Sequence, residues 1–326
     1  MAISIRLTFS RAVDLLGAPL TIMASAWLSA VRRLGGKDTP ISRRIFAAVG
    51  VFPIRRHYYE PFFDPRDLVH DLSQDRILPG IDMNVAGQLA LLGSFHPHHE
   101  LLEIPETPVP KPGYYYGNDS FVAGDAEYLY HVIRHFKPKR FIEIGSGMST
   151  LLVRQAIADE QAIDSAYACE HTCIEPYESP WLSLIDVNLI RQRVEQVELE
   201  TFASLDAGDV LFIDSSHVVR PQGDVVFEYL EILPRLRPGV LVHVHDIFTP
   251  RDYPAAWVHE RMYLWTEQYL VEAFLTCNPH FEIIGALNFL VRHHRAALHT
   301  VCPVLARRPT SEDPGSLWLR VRNTSR

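Results

Sequence analysis

The chain has 326 residues, 47% of them hydrophobic and 21% charged, with a formal charge of −8. These values exclude a disordered or fibrous polypeptide and leave room for a large buried core. An acidic total argues against nucleic acid as a partner, because phosphate binding needs a clustered basic surface. Four cysteines, Cys169, Cys173, Cys277 and Cys302, form no disulfide framework and point to a reducing, cytoplasmic compartment.

The charge is unevenly spread. Residues 1–60 hold nine Lys or Arg and three Asp or Glu, net +6, which leaves 22 against 36, net −14, for the rest. Within this first segment Leu15 to Val31 is uncharged over 17 residues, just under the ~20 that a membrane-spanning helix needs. Leu16, Leu20, Met23, Trp27, Val31 and Leu34 step round one helical face, with Thr21, Ser25 and Ser29 on the other. That pattern predicts an amphipathic helix rather than a span, packed on the protein's own core or lying in a membrane surface. Arg32, Arg33, Arg43, Arg44, Arg55 and Arg56 follow it and suit anionic headgroups, so residues 1–60 carry the expectation of a peripheral contact at the inner membrane face. Asp14 and the lack of a clean cleavage site argue against a signal peptide.

Residues 61–117 are dense in Pro, Asp, His and aromatics, with Pro105, Pro108, Pro110 and Pro112 near the end, and read as an irregular cap. Residues 118–326 alternate helices with short apolar strands. Ala126–Phe136 and Ser149–Ala158 are predicted helices, and Arg140–Ile144, Tyr167–Ile174, Val210–Ile213 and Val240–Val244 predicted strands. Further helices are expected at Val225–Leu236 and Glu260–Thr276. Alternation of this kind implies an α/β fold with a mostly parallel sheet that places its ligands at the carboxyl ends of the strands.

The first such end reads Glu143-Ile-Gly145-Ser-Gly147-Met-Ser149-Thr150. Its glycines permit a sharp turn and close approach of a ligand to the backbone. A carboxylate two residues before Gly145 would repel a diphosphate and attract a cofactor bearing an ammonium and a sulfonium group. The segment resembles the first motif of the class I S-adenosylmethionine-dependent methyltransferases, over roughly residues 118–322. That resemblance implies a Rossmann-like, seven-stranded sheet ending in an antiparallel pair, here Phe281–Ile284 and Ser316–Val321. It also implies S-adenosylmethionine as cofactor, met by Glu143, Gly145, Gly147, Ser149 and, on the ribose, Glu175, with Glu170 as the competitor for that role. Asp125, before the first helix of the domain, is expected to close over it.

The second and third ends read Asp214-Ser-Ser-His217 and His243-Val-His245-Asp246. Asp214, His245 and Asp246 form a candidate ligand set for a divalent ion, with His217 as general base toward an acceptor hydroxyl. The pattern resembles, more narrowly, the macrolide-sugar O-methyltransferases and cephalosporin hydroxylase proteins, although His245 stands where those carry an acid. An imidazole there suits Mn or another first-row ion better than Mg. His243 shares the pleat parity of His245 and is expected in the core. Arg251 and Tyr253, in the loop beyond, are candidate contacts to the acceptor, as are one or two aromatics among Trp257, Tyr263, Trp265 and Tyr269. Together these residues predict an O-methyltransferase acting on a small-molecule or glycan acceptor. A metal-dependent hydrolase or oxygenase on the same fold, or a non-catalytic membrane-surface binding protein, are the alternatives. Monomer and homo-oligomer are both compatible with the sequence.

Overall fold

The computed structural model describes residues 2–35, 37–57, 59–110, 112–177, 179–309 and 313–323, with residues 2–10 and 65 described as backbone alone. The chain divides into two compact units, Met1–His70 and Asp71–Arg326. The first unit contains α1 (Ala2–Leu34) and α2 (Pro40–Val49). Pro40 opens α2, where its missing N–H costs nothing. Gly50 closes it at φ 76°, a left-handed cap that glycine adopts without penalty.

The second unit begins with α3 (Val85–Ser94) and α4 (Asp125–Phe136), then β1 (Arg140–Ile144), α5 (Met148–Ile163), β2 (Glu170–Ile174), β3 (Asn188–Ile190), α6 (Leu199–Ala203) and β4 (Val210–Ile213). There follow α7 (Asp224–Phe227), continued by π and 3-10 turns to Arg235, β5 (Leu241–Val244), α8 (Ala255–His259) and α9 (Glu267–Leu275). The chain ends with β6 (Phe281–Ala286), α10 (Leu287–His293), α11 (Arg295–Val301) and β7 (Leu317–Val321). The sheet order is β3-β2-β1-β4-β5-β7-β6, parallel except for the antiparallel β7.

Alternate residues of the central strands face opposite layers. Phe141, Phe212 and Trp318 join α4 and α5 in one core, while Ile142, Ile144, Leu211, Ile213 and Val244 join the layer of Val225, Tyr229 and Val271 in the other. The predicted helix 260–276 is shorter than expected: residues 260–266 are not helical, α9 starts only at Glu267, and a separate short helix, α8, ends at His259. The expected irregular cap contains a true helix, α3, tied to the sheet by the Gln88 side chain, which accepts from Ala286 N at 2.7 Å and donates to Met83 O at 2.6 Å.

Two buried carboxylates hold the start of α4. Glu127 accepts from the backbone N–H groups of Val304 (2.7 Å), Leu305 (2.9 Å) and Gly124 (3.2 Å). Burial pushes its pKa up to about 7 against the pull of those bonds. Glu127→Ala leaves three buried donors unsatisfied and is expected to cost about 3 kcal/mol or more. Urea unfolding at pH 6 against wild type measures this, and a loss under about 1 kcal/mol would mean water replaces the carboxylate. Because the folded-state pKa is raised, charging Glu127 opposes folding as pH climbs from the ordinary carboxylate range toward 7, a slope the variant lacks.

Candidate active site

The hydrogen-bond ladder of the sheet runs one residue past each strand. Glu175 N donates to Ile190 O (3.1 Å), Gly145 N to Ile174 O (3.0 Å), Asp214 N to Ile144 O (2.9 Å) and His245 N to Ile213 O (2.9 Å). The backbone therefore sets Glu175, Gly145, Asp214 and His245 in a row across the carboxyl edge. Strand order reverses between β1 and β4, so Gly145 and Asp214 flank the switch point where open α/β sheets bind ligands. A cavity of about 590 Å³ opens there, lined among others by Gly145, Glu175, Tyr177, Asp214, Ser216 and Asp224. Its carboxylates make it a receptive place for a cationic ligand. Glu175 accepts from Tyr177 N (2.8 Å) and Ser146 N (3.3 Å), which fixes the carboxylate at the rim.

Gly145 is required by this geometry. Its φ is +80°, and a Cβ added there would lie 1.9 Å from the Asp214 carbonyl oxygen. Gly147 differs: it is extended at φ −167°, with open space where its Cβ would be.

Other predicted cofactor residues serve the interior. Glu143 is fully buried, and its two oxygens accept from Ser149 Oγ (2.5 Å) and Thr150 Oγ1 (2.7 Å). Neither Glu143 nor Ser149 borders the cavity; the pair binds the end of β1 to the first turn of α5. His171 and Cys173 on β2 complete this sealed cluster, His171 Nε2 at 3.3 Å and Cys173 Sγ at 3.6 Å from Glu143 Oε2. Asp125 is also interior: it accepts from Gly315 N (3.1 Å) and Ser316 N (2.8 Å), tying the start of α4 to the residues that lead into β7.

Asp214, His217, His245 and Asp246 come together beside the cavity. His217 Nε2 lies 3.3 Å from Asp214 Oδ1 and 3.7 Å from Asp246 Oδ2, and His245 Nε2 lies 3.6 Å from Asp246 Oδ1. Both His217 (φ 59°) and Asp246 (φ 58°) hold the left-handed conformation that non-glycine residues seldom adopt. Asp214, His245 and Asp246 do not present a closed ligand set. Among the described residues only the sealed cluster Glu143, His171 and Cys173 brings three ligand atoms within 4.8 Å of one another, and the interval between Asp214 and Asp246 is held by His217. The arrangement does not fit a three-ligand ion site at this edge.

Glu267, at the first turn of α9, was not visible as a site residue from sequence. It is fully buried, accepts from His217 Nδ1 at 2.8 Å through Oε2 and from the Tyr229 hydroxyl at 3.0 Å through Oε1. The attachment is reciprocal, since the His217 carbonyl accepts from Thr266 N (2.8 Å) and Glu267 N (3.1 Å) at the helix start. Trp265 covers the imidazole, with ring centroids 4.2 Å apart. Burial alone would depress the His217 pKa, but its hydrogen bonds to Asp214 and Glu267 and their charges hold it well above the ordinary histidine value. His245 is likewise raised despite burial, by Asp246, Asp214 and Asp125, whereas burial drives His243 well down. His243 stacks on Phe212 at 4.0 Å, as expected of a core histidine.

The two predicted acceptor contacts have partners within the protein. Tyr253 is buried, and its hydroxyl accepts from Gln268 N at 3.0 Å. Arg251 pairs with Asp313 at 3.2 Å. Aromatic surface near His217 comes instead from Trp257, Tyr263 and Trp265, whose rings lie 4.6 to 5.9 Å apart.

Residues 142–247, which include every strand end described above, match a family model described as a methyltransferase domain. An uncharacterized protein of Archaeoglobus fulgidus is 30% identical over 166 residues, 46% of this chain and 72% of its own. The S-adenosylmethionine complex of the O-methyltransferase TomG from Streptomyces achromogenes, involved in tomaymycin synthesis, is similar at 14% identity, over 77% of this chain and 93% of that one. Its TM-score of 0.32 carries no argument of its own. Residues 142–247 therefore carry a methyltransferase domain, set in the seven-stranded sheet that the first motif led us to expect.

Proposed function

We propose that the protein transfers a methyl group from S-adenosylmethionine to a hydroxyl oxygen of a small-molecule or glycan acceptor, with His217 taking the hydroxyl proton. The observation that carries this reading is the buried Glu267–His217 pair, whose free ring edge faces Asp214 and Asp246 beside a cavity that Asp214 itself lines. The cofactor, when bound, supplies an electrophilic methyl group and leaves as S-adenosylhomocysteine. Glu175 is suited to the ribose hydroxyls and Gly145 to close backbone approach. Glu267 fixes Nδ1–H, so it is the neutral form of His217, whose share grows toward alkaline pH because the pKa is raised, that accepts the hydroxyl proton at Nε2 as the acceptor oxygen bonds to carbon and the carbon–sulfur bond breaks. Asp214 and Asp246 stabilise the imidazolium that results. Trp257, Tyr263 and Trp265 offer flat apolar surface to a ring-bearing acceptor. No step runs through a metal ion, because the donor set at this edge does not converge.

His217→Asn keeps a side chain able to donate to Glu267 but removes the base. It is expected to leave S-adenosylhomocysteine affinity within about twofold and to lower transfer of labelled methyl groups to hydroxyl acceptors by ~10²–10⁴-fold. Full transfer by this variant against an acceptor that wild type methylates would rule out His217 as the base.

A further inference from the structure

We propose that α1 crosses a lipid bilayer and anchors the methyltransferase unit to the membrane face that presents anionic lipid. This departs from the in-plane or self-packed helix expected from sequence, and three observations favour the change. First, α1 runs from Ala2 to Leu34, and its stretch Arg11–Leu34 is 24 residues long, about 36 Å at 1.5 Å per residue, so that the charged residues flanking the uncharged middle Leu15–Val31 fall near the two edges of a hydrocarbon core of about 30 Å. Second, every large apolar side chain from Leu15 to Trp27 is exposed, Leu16 to 82% and Ile22 to 70%, and only near the end of the helix is one buried, Val31. Third, an in-plane helix needs a charged face toward water, and Leu15 to Val31 has no charge on any face. Its polar band consists of small hydroxyls, and Thr21 Oγ1 donates to Gly17 O at 3.1 Å, so this hydroxyl is satisfied inside the helix as a hydrocarbon environment demands.

Charge fixes the orientation. Arg32, Arg33, Lys37, Arg43 and Arg44 follow the span closely, against Arg6 and Arg11 before it. The basic side stays in the compartment of synthesis, and the chain from residue 32 onward stays with it. Among the described residues no carboxylate pairs with Arg33, Arg43, Arg44 or Arg55, whereas Arg32 pairs with Glu60 at 2.6 Å. The unpaired guanidinium groups suit anionic headgroups. Along α2 and beyond it, Ile41, Ile45, Val49 and Phe52 are all more than half exposed, and this apolar stripe beside Arg43 and Arg44 fits the interfacial layer.

The test uses the full chain made in cells. Membranes are pelleted, then washed with high salt and with alkaline carbonate, which strips peripheral proteins. The wild-type chain is expected to stay in the pellet through both washes. A variant carrying Leu20→Arg and Ala24→Arg, two exposed positions whose charges are costly at mid-bilayer, is expected to move to the soluble fraction by more than tenfold. Its S-adenosylhomocysteine binding should be unchanged, which separates loss of anchoring from misfolding. With purified protein, replacing Arg33, Arg43, Arg44 and Arg55 by Gln should abolish the preference for phosphatidylglycerol-containing vesicles over pure phosphatidylcholine. Recovery of the wild-type chain in the soluble fraction, as monomer or oligomer, or its release by salt or carbonate, overturns the proposal.

Discussion

Gly145→Ala is expected to be among the most damaging single substitutions in the catalytic unit. The added methyl carbon would sit 1.9 Å from the Asp214 carbonyl oxygen, far inside van der Waals contact. That carbonyl belongs to the strand end whose N–H donates to Ile144, so relief would have to come from moving β4 against β1. The backbone at φ +80° adds strain for any residue but glycine. The sum is expected to exceed about 3 kcal/mol in urea unfolding, with S-adenosylhomocysteine binding lost even where the variant folds. Gly147→Ala, at an extended position with open space around it, is the control and should fall within about 0.5 kcal/mol of wild type. Equal behaviour of the two variants would mean the close approach of β1 and β4 is not what Gly145 provides.

The second large effect is expected at Glu267. Glu267→Gln removes one of the carboxylates that hold His217 cationic and leaves a buried imidazole with a weaker partner. Stability is expected to fall by about 2–3 kcal/mol near neutral pH. The sign with pH follows from the raised His217 pKa: its contribution is fully present below the ordinary histidine value and is lost as pH rises through the folded-state value. The deficit of the variant should therefore shrink in alkaline buffer. Nuclear magnetic resonance titration of the His217 ring should show its pKa well above 6.5 in wild type and lowered in Glu267→Gln. Methyl transfer should fall by on the order of 10² or more, because the imidazole loses the partner that fixes its tautomer. Glu272→Gln is the control for a merely structural role. Glu272 binds Arg76 and Thr249, not His217, so it should change stability without moving the His217 titration.

Much of the sheet was legible because its strands are short apolar runs punctuated by Gly, Pro and Asp. Arg140–Ile144 and Val210–Ile213 were read at their observed limits, and the residues just beyond them supplied Gly145, Asp214 and His217. The three-residue β3 was missed, since so short a strand leaves no alternation to detect. Residue type at a strand end does not say which way a side chain turns. Glu143 looked like a cofactor ligand, yet its strand parity and the hydroxyls of Ser149 and Thr150 commit it to the interior. Tyr253 and Arg251 were expected at the acceptor, but residue type in a loop does not reveal prior partners: the Tyr253 hydroxyl accepts from Gln268 N and Arg251 pairs with Asp313.

Glu267 was hidden for a different reason. It lies fifty positions from His217, and taking 260–276 as one helix put it in mid-helix. Thr266 just before it is the helix-start signal that would have exposed it. The first sixty residues were recognised as a different material by charge alone. Whether their helix was covered was beyond sequence, because burial is a property of the packed chain.

Isothermal titration of the folded full chain with S-adenosylhomocysteine tests most directly the proposal that the cavity lined by Gly145, Glu175 and Asp214 takes the cofactor. The predicted result is saturable binding at one site per chain, unchanged by EDTA, weakened tenfold or more by Glu175→Ala. Absence of binding to wild type by both S-adenosylhomocysteine and S-adenosylmethionine would contradict it.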